Sequence, residues 1–197
     1  SHPCRPRGTA VSARAVNSHT ASLAGSYSMF RSAACQLGLL IVSSIDEMIE
    51  SILALKTLPL PGSPRVAVLG IGGGQSVSIT DHLSLLGFKV PVLERKTQKR
   101  ITQITTEAGT MAKNPIDASV ASVDPQNIRD LLFAIIEDKS IDSVLFHQNV
   151  GFLPMWKKRG ADIDVERIRK DLVKAVEAYK KNSHKPVLCV FTSRSNN

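Results

Sequence analysis

The stretch Arg65-Val-Ala-Val-Leu-Gly-Ile-Gly-Gly-Gly-Gln-Ser-Val77 decides the fold of this chain. A short apolar segment, typical of a buried strand, runs directly into a glycine-rich turn, and Gln75 and Ser76 then open a predicted helix. Glycines let the backbone approach a ligand closely, and the start of a helix offers unpaired N–H groups and a partial positive charge. The stretch therefore predicts a strand–turn–helix unit that binds phosphate or another oxyanion.

Strands and helices alternate from this stretch to the end of the chain. The patterns predict strands over 66–69, 88–93, 141–146 and 186–191, a short extended segment over 114–117, and helices over 77–86, 97–107, 125–136 and 165–179. Alternating units of this kind form a parallel sheet covered on both faces, with ligands at the carboxyl ends of the strands. Residues 65–197 are therefore predicted to form an α/β, flavodoxin-like, doubly wound parallel sheet.

The first 56 residues carry fewer elements. The sequence predicts a helix over 26–37 that Gly38 closes, a buried strand over 39–42, and a second helix opened by the capping box Ser44-Ile-Asp-Glu47. One strand and two helices are too few for a complete domain. Residues 1–56 are therefore predicted to be the C-terminal part of a second α/β domain, joined by a proline-rich linker over 57–64. We expect the chain to be a portion of a longer protein.

Composition narrows the class of protein. The 197 residues are 43% hydrophobic and carry a net charge of +8, with three scattered cysteines. No apolar run reaches the roughly 18 residues that a membrane span needs, and no secretory signal is visible. The cysteines form no metal-binding pattern, so we expect a reduced, cytoplasmic protein without a structural metal. Basic residues are interspersed with acidic ones and aromatic residues are few, which argues against a nucleic-acid partner.

The glycine run is compatible with more than one ligand. It is not a Walker A loop, because no Gly-Lys-Ser/Thr sequence follows. As a dinucleotide fingerprint it has Gly70 and Gly72 in place, but Gln75 stands where the third glycine belongs; Glu94 lies where a ribose-binding acid is expected. Nucleotide binding therefore stays open, as does a purely structural turn.

Two histidines are candidates for chemistry. His19 lies in Ser18-His-Thr-Ala-Ser-Leu-Ala-Gly-Ser26, where small and hydroxyl side chains leave an imidazole accessible as a nucleophile. Taken alone, this pattern also fits an ordinary surface histidine. His147, at the end of a predicted strand, lies at the ligand-binding edge of the sheet and is a weaker candidate.

Four motifs together resemble one enzyme family. The segment 18–26 resembles the SHTG(S/A)LAGS signature of NDP-forming acyl-CoA synthetases, relatives of succinyl-CoA synthetase. Residues 33–48 are similar to the family's AFRQAGVIRVDSLEEL segment, and residues 65–81 to its RVAIVTNGGGPGVLATD segment. Asn114-Pro-Ile-Asp117 matches its NPxD element, and the helix and strand after that element also correspond. The order and spacing agree over residues 10–190.

The resemblance implies an acid–CoA ligase that works through a phosphohistidine. The position that matches the phosphorylated histidine is His19, the predicted phosphate-binding residues are Gly72, Gly73, Gly74, Gln75 and Ser76, and the predicted substrate-binding residues are Asn114, Asn149 and Gly151. The implied substrates of the complete enzyme are acyl-CoA, phosphate and a nucleoside diphosphate (ADP or GDP, giving ATP or GTP) with Mg. The implied partners are an ATP-grasp module and a CoA-binding domain. No cofactor is expected to be bound by this chain alone, which we expect to be inactive without them.

The chain departs from the family pattern after the glycine triplet, where Gln75-Ser76 replaces Pro-Gly. Two further departures lie near the proposed chemistry. Ala21 replaces the glycine after His-Thr, and Ile71 replaces the asparagine before the glycine triplet. These departures favour an alternative, in which the chain is a non-catalytic flavodoxin-like module that binds CoA, a nucleotide or an acyl group, or regulates a partner.

Overall fold

The computed structural model describes residues 27–105, 111–118, 124–149, 151 and 164–192. The chain divides into two compact units, Ser1–Thr57 and Leu58–Asn197. The first contains helices α1 (Tyr27–Gln36) and α2 (Ile45–Thr57). The second contains β1 (Val66–Gly70), α3 (Gly73–Leu85), α4 (Arg95–Ile104), β2 (Ile116–Asp117), α5 (Pro125–Ile136), β3 (Ser143–Asn149), α6 (Val165–Asn182) and β4 (Val187–Thr192). None of the described helices is long and apolar enough to cross a membrane.

Local signals set the helix ends of the first unit, as predicted. Gly38 has a φ of 69°, and the Leu39 N–H donates to the carbonyl of Ala34 at 2.8 Å, which closes α1. At the start of α2, the Ser44 hydroxyl accepts from the Glu47 N–H at 3.1 Å. The Glu47 carboxylate accepts in turn from the N–H of Ser43, one residue before the cap, at 2.6 Å, and so holds the chain that enters the helix.

The strand predicted over 39–42 is wrong. These residues have no strand structure, and Leu39 and Leu40 are exposed. A strand requires hydrogen bonds to a neighbouring strand, and none of the described residues of this unit supplies one. The apolar face of α2 is likewise exposed, because none of its residues is buried. Apolar sequence patterns indicate what a segment would bury, while a neighbouring element decides whether it does.

The second unit is built on a four-stranded sheet with the order β2-β1-β3-β4, in which all three pairings are parallel. Alternate residues of β1 and β3 (Ala67, Leu69, Val144 and Phe146) join apolar residues of α4, α5 and α6 in the core. The opposite face carries Gly70 and His147, and Ser76 of α3 meets it there. Helices therefore cover both faces, which confirms the predicted doubly wound α/β architecture.

The strand predicted over 88–93 is also wrong. Lys89 makes an isolated bridge to Arg65, but the segment then leaves the sheet edge. Pro91 has no N–H to donate, and the side chain of Asn114 lies between this segment and β1. The short β2 takes the place beside the end of β1. The outer edge of the sheet therefore consists of β2 rather than the longer predicted strand.

Candidate functional site

Three residues meet at the carboxyl edge of the sheet. Gly70, the last residue of β1, lies in register with Asp117 of β2 on one side and His147 of β3 on the other. Residues in register on parallel strands point to the same face. Ligands bind at this edge in doubly wound sheets, so these positions are the floor of the candidate site.

The glycine run forms the first turn of α3. Gly72 has a φ of 98°, in the left-handed region that favours glycine, and Gly73 is the first helical residue. The N–H groups of Gln75 and Ser76 donate to the carbonyl of Gly72 at 3.0 and 3.1 Å. The helix begins four residues before the predicted range 77–86, so Gly73 and Gly74 lie inside its N-terminal turn. We refer to Gly72–Ser76 as the cradle.

A histidine lies directly under the cradle. The hydroxyl of Ser76 and Nε2 of His147 share a hydrogen bond of 2.8 Å, and both side chains are buried. A Cβ built on Gly70 would lie less than 3.0 Å from three atoms of the His147 ring, closer than real Cβ atoms approach. Gly70 is therefore required for the approach of the imidazole, which in turn holds the first turn of α3 through Ser76.

Burial favours the neutral form of this imidazole. Desolvation lowers the pKa of His147 below its usual 6.5, and the negative charge of Asp117 opposes that shift only in part. Nδ1 of His147 has no hydrogen-bond partner among the described residues. A serine, a histidine and an aspartate are thus neighbours, but within that part of the chain no aspartate bonds the nitrogen that an orienting aspartate would hold. The arrangement is a support for the helix terminus rather than a hydrolytic triad.

Asp117 faces the cradle, although no site residue was predicted at this position. Its Oδ1 accepts a hydrogen bond from the Gly72 N–H at 3.3 Å. Its Oδ2 lies 3.1 Å from the position that a Cβ on Gly73 would occupy. A carboxylate at a helix N-terminus is stabilised by the helix dipole. In the sequence, Asp117 could be recognised only as the last residue of the Asn114–Asp117 motif. Its position beside Gly70 depends on the pairing of β1 with β2.

Asn114, a predicted substrate-binding residue, holds the backbone together. Its Oδ1 accepts from the Val68 N–H at 2.9 Å, and its Nδ2 donates to the carbonyls of Val66 and Pro91 at 3.1 and 2.8 Å. The side chain thus fills the gap between β1 and the segment that failed to form a strand. This is a structural role, and a contact between Asn114 and substrate stays a prediction.

The other predicted residues are placed as follows. Asn149 ends β3 at the same edge as the cradle, and its Oδ1 accepts from the Gly151 N–H at 3.1 Å. Glu94 precedes α4 and forms an ion pair of 3.0 Å with Lys96, which gives the ribose-binding hypothesis no additional support. His19 lies outside the described residues. Within the described ranges, no group of three or more His, Cys, Asp or Glu side chains could hold a metal ion.

Comparison with known proteins finds similarity over most of the chain, and one family model matches the first unit. Residues 4–55 match the model of the succinyl-CoA ligase-like flavodoxin domain. The chain is 30% identical over 178 residues to the alpha subunit of an ADP-forming acetate–CoA ligase II of Pyrococcus furiosus. These similarities support an NDP-forming acyl-CoA synthetase fragment. This match covers 90% of the chain and 36% of that subunit.

Further similar proteins show the same partial coverage. An ADP-forming acetate–CoA ligase II of Archaeoglobus fulgidus is 29% identical over 164 residues, which are 82% of this chain and 23% of the relative. A protein of Pyrococcus horikoshii of known structure is 27% identical, with a TM-score of 0.70 over 86% of this chain and 36% of that one. The fold also matches an acetyl-coenzyme A synthetase 1 of Ca. Korarchaeum cryptofilum, with a TM-score of 0.74 over 93% of this chain and 37% of that one, at 24% identity. The chain thus spans about a third or less of the length of these relatives.

Proposed function

We propose that this chain is part of an NDP-forming acid–CoA ligase that interconverts acyl-CoA, NDP and phosphate with the free acid, NTP and CoA. The observation that carries the proposal is the cradle. Its glycines begin a helix at the carboxyl edge of a parallel sheet, where helix N–H groups and dipole favour a phosphate. Similarity to ADP-forming acetate–CoA ligases over 90% of the chain supports the same reaction class.

The proposed reaction has three steps. Phosphate displaces CoA from the acyl-CoA carbonyl, which gives an acyl phosphate and CoA. A nitrogen of His19 then takes the phosphoryl group, and the acid leaves. Finally the β-phosphate of the NDP takes the phosphoryl group from the histidine, which regenerates the imidazole. The cradle would hold the transferred phosphoryl group, because phosphoryl transfer depends mainly on positioning and charge stabilisation.

Buried His147 and Gly70 fit a supporting role in this scheme. The hydrogen bond between Ser76 and the neutral imidazole fixes the first turn of α3 without placing a second positive charge beside it.

We propose that an ATP-grasp module supplies the nucleotide and Mg, that a CoA-binding domain supplies the thiol, and that the enzyme is cytoplasmic. The proposed domain division has residues 1–56 carrying the histidine segment and residues 65–197 carrying the cradle.

Phosphohistidine formation tests the proposal. The complete enzyme, with its nucleotide-binding partner, is incubated with γ-labelled NTP, and the acid-labile, base-stable label on this chain is measured. We expect label on the wild type and none on His19→Asn. His184→Asn is the matched control, because His184 is exposed and lies in the turn before β4. Equal labelling of His19→Asn would refute the role of His19.

One observation favours the non-catalytic alternative. The N–H of Gly72, at the mouth of the cradle, already donates to an internal carboxylate, that of Asp117. Calorimetry of the complete enzyme with phosphate, acyl phosphate, CoA and nucleotides separates the two functions. A non-catalytic module would bind CoA or a nucleotide without forming a phosphohistidine.

A further inference from the structure

The mouth of the cradle carries a negative charge, whereas a site that only bound phosphate would be expected to carry a positive one. The N-terminal turn of α3 presents glycines, one of which, Gly72, has a conformation that side chains rarely adopt. Such a turn attracts anions. The nearest described acidic group, however, is the carboxylate of Asp117, which accepts a hydrogen bond from Gly72 at 3.3 Å.

The position of Asp117 is fixed by the sheet. Asp117 is the last residue of β2 and is in register with Gly70. Gly70 lies three residues before Gly73, the first residue of α3. Both carboxylate oxygens face the glycine turn, one toward the Gly72 N–H and the other toward the space beside the Gly73 Cα. A side chain on Gly73 would crowd this oxygen, so the glycine makes the close approach possible.

A phosphate and this carboxylate compete for the same positive field. Two anions within a few ångströms repel each other strongly unless a cation lies between them. Phosphate bound at the cradle therefore has to displace the carboxylate from Gly72 or tolerate the repulsion. Either way the free energy of phosphate binding is reduced.

We propose that Asp117 is an internal competitor that sets the affinity of the cradle for phosphate. In the empty site the carboxylate caps the helix terminus and occupies the Gly72 N–H. When phosphate arrives, the carboxylate turns away, and it returns when the phosphoryl group leaves. This inference rests on the proposed function of the cradle and adds a reason for release: a site that binds phosphate less tightly retains it less after each turnover.

The test is a titration of the full 197-residue chain with inorganic phosphate, followed through the backbone amide NMR signals of Gly72, Gly73 and Gly74. The variant is Asp117→Asn, whose amide oxygen can still accept the Gly72 hydrogen bond. The matched control is Asp81→Asn, which removes the same charge from an exposed position on α3. EDTA is present throughout, because a divalent cation shared by carboxylate and phosphate would mask the repulsion.

We expect Asp117→Asn to lower the Kd for phosphate by roughly tenfold, and Asp81→Asn to leave it within about twofold of the wild-type value. An unchanged Kd in Asp117→Asn, with the wild type binding phosphate at these amides, would overturn the inference and leave the proposed cradle intact. Weaker binding in the variant would also overturn it, since Asp117 would then be shaping the cradle. Absence of any phosphate-dependent shift in both proteins would instead overturn the cradle itself.

Discussion

Gly70→Ala is the substitution that most directly examines the support beneath the cradle. Gly70 is buried at the end of β1, and the added Cβ would come within 3.0 Å of three atoms of the His147 ring. The ring is itself buried and bonded to Ser76, so it has no free space into which it can turn without breaking that bond. The methyl group therefore forces either the strand or the imidazole to move.

The size of the effect follows from three contributions. Forcing extra volume into a packed interior costs about 1–3 kcal/mol, and contact with three ring atoms places this case near the upper end. Loss of the hydrogen bond between Ser76 and His147 costs about 1 kcal/mol more, because both groups stay buried. Alanine restricts the unfolded chain and returns about 0.4–1 kcal/mol. The net expectation is a loss of about 3 kcal/mol in the free energy of unfolding of the second unit.

Urea unfolding followed by circular dichroism measures this loss. Gly74→Ala is the matched control, because Gly74 lies in α3 with nothing within 4 Å of its Cβ, and alanine there should stabilise by about 0.5–1 kcal/mol. The double variant Gly70→Ala/His147→Ala removes the ring that the methyl group strikes, so its cost should fall well below the sum of the single costs. If Gly70→Ala were as stable as the control, or if the double variant were additive, the proposed contact would be refuted.

Two further substitutions examine the same edge of the sheet. Because burial lowers the pKa of His147 below 6.5, the folded state binds fewer protons than the unfolded state, and the free energy of unfolding should decrease as the pH falls below about 6.5. Unfolding of wild type and His147→Gln is measured between pH 5 and 8, and the variant should show the smaller pH dependence. Identical slopes would contradict a buried neutral imidazole. Asn114→Ala removes the three hydrogen bonds to Val66, Val68 and Pro91, at about 1 kcal/mol each, so the free energy of unfolding in urea should fall by about 3 kcal/mol. The control is Asn182→Ala, because Asn182 is exposed and loses a single hydrogen bond.

The sequence was reliable where a signal is local. Gly38 closes α1 and Ser44 caps α2, because the hydrogen bonds involved join residues only a few positions apart. Asp124 likewise caps α5, which begins at Pro125 as the predicted range 125–136 required. The apolar alternation of strands and helices was enough to predict a parallel sheet with helices on both faces.

The two strand predictions failed because a strand is completed by its neighbour. Residues 39–42 and 88–93 have suitable apolar residues, yet the first lacks a described partner and the second is displaced by the side chain of Asn114 and by β2. The sequence contains no local indication that an asparagine 23 residues after Pro91 would take up that carbonyl.

What the sequence determined by itself is the fold class, the capped helix ends at Gly38, Ser44 and Asp124, and the position of the glycine turn, since each depends on hydrophobic period or on nearby capping residues. Only the tertiary structure decided what surrounds that turn. The parallel register brings Asp117 and His147 to either side of Gly70, from strands 47 and 77 residues away along the chain. A phosphate cradle could therefore be predicted from glycines, whereas the carboxylate that competes for it and the imidazole that supports it depend on strand pairing.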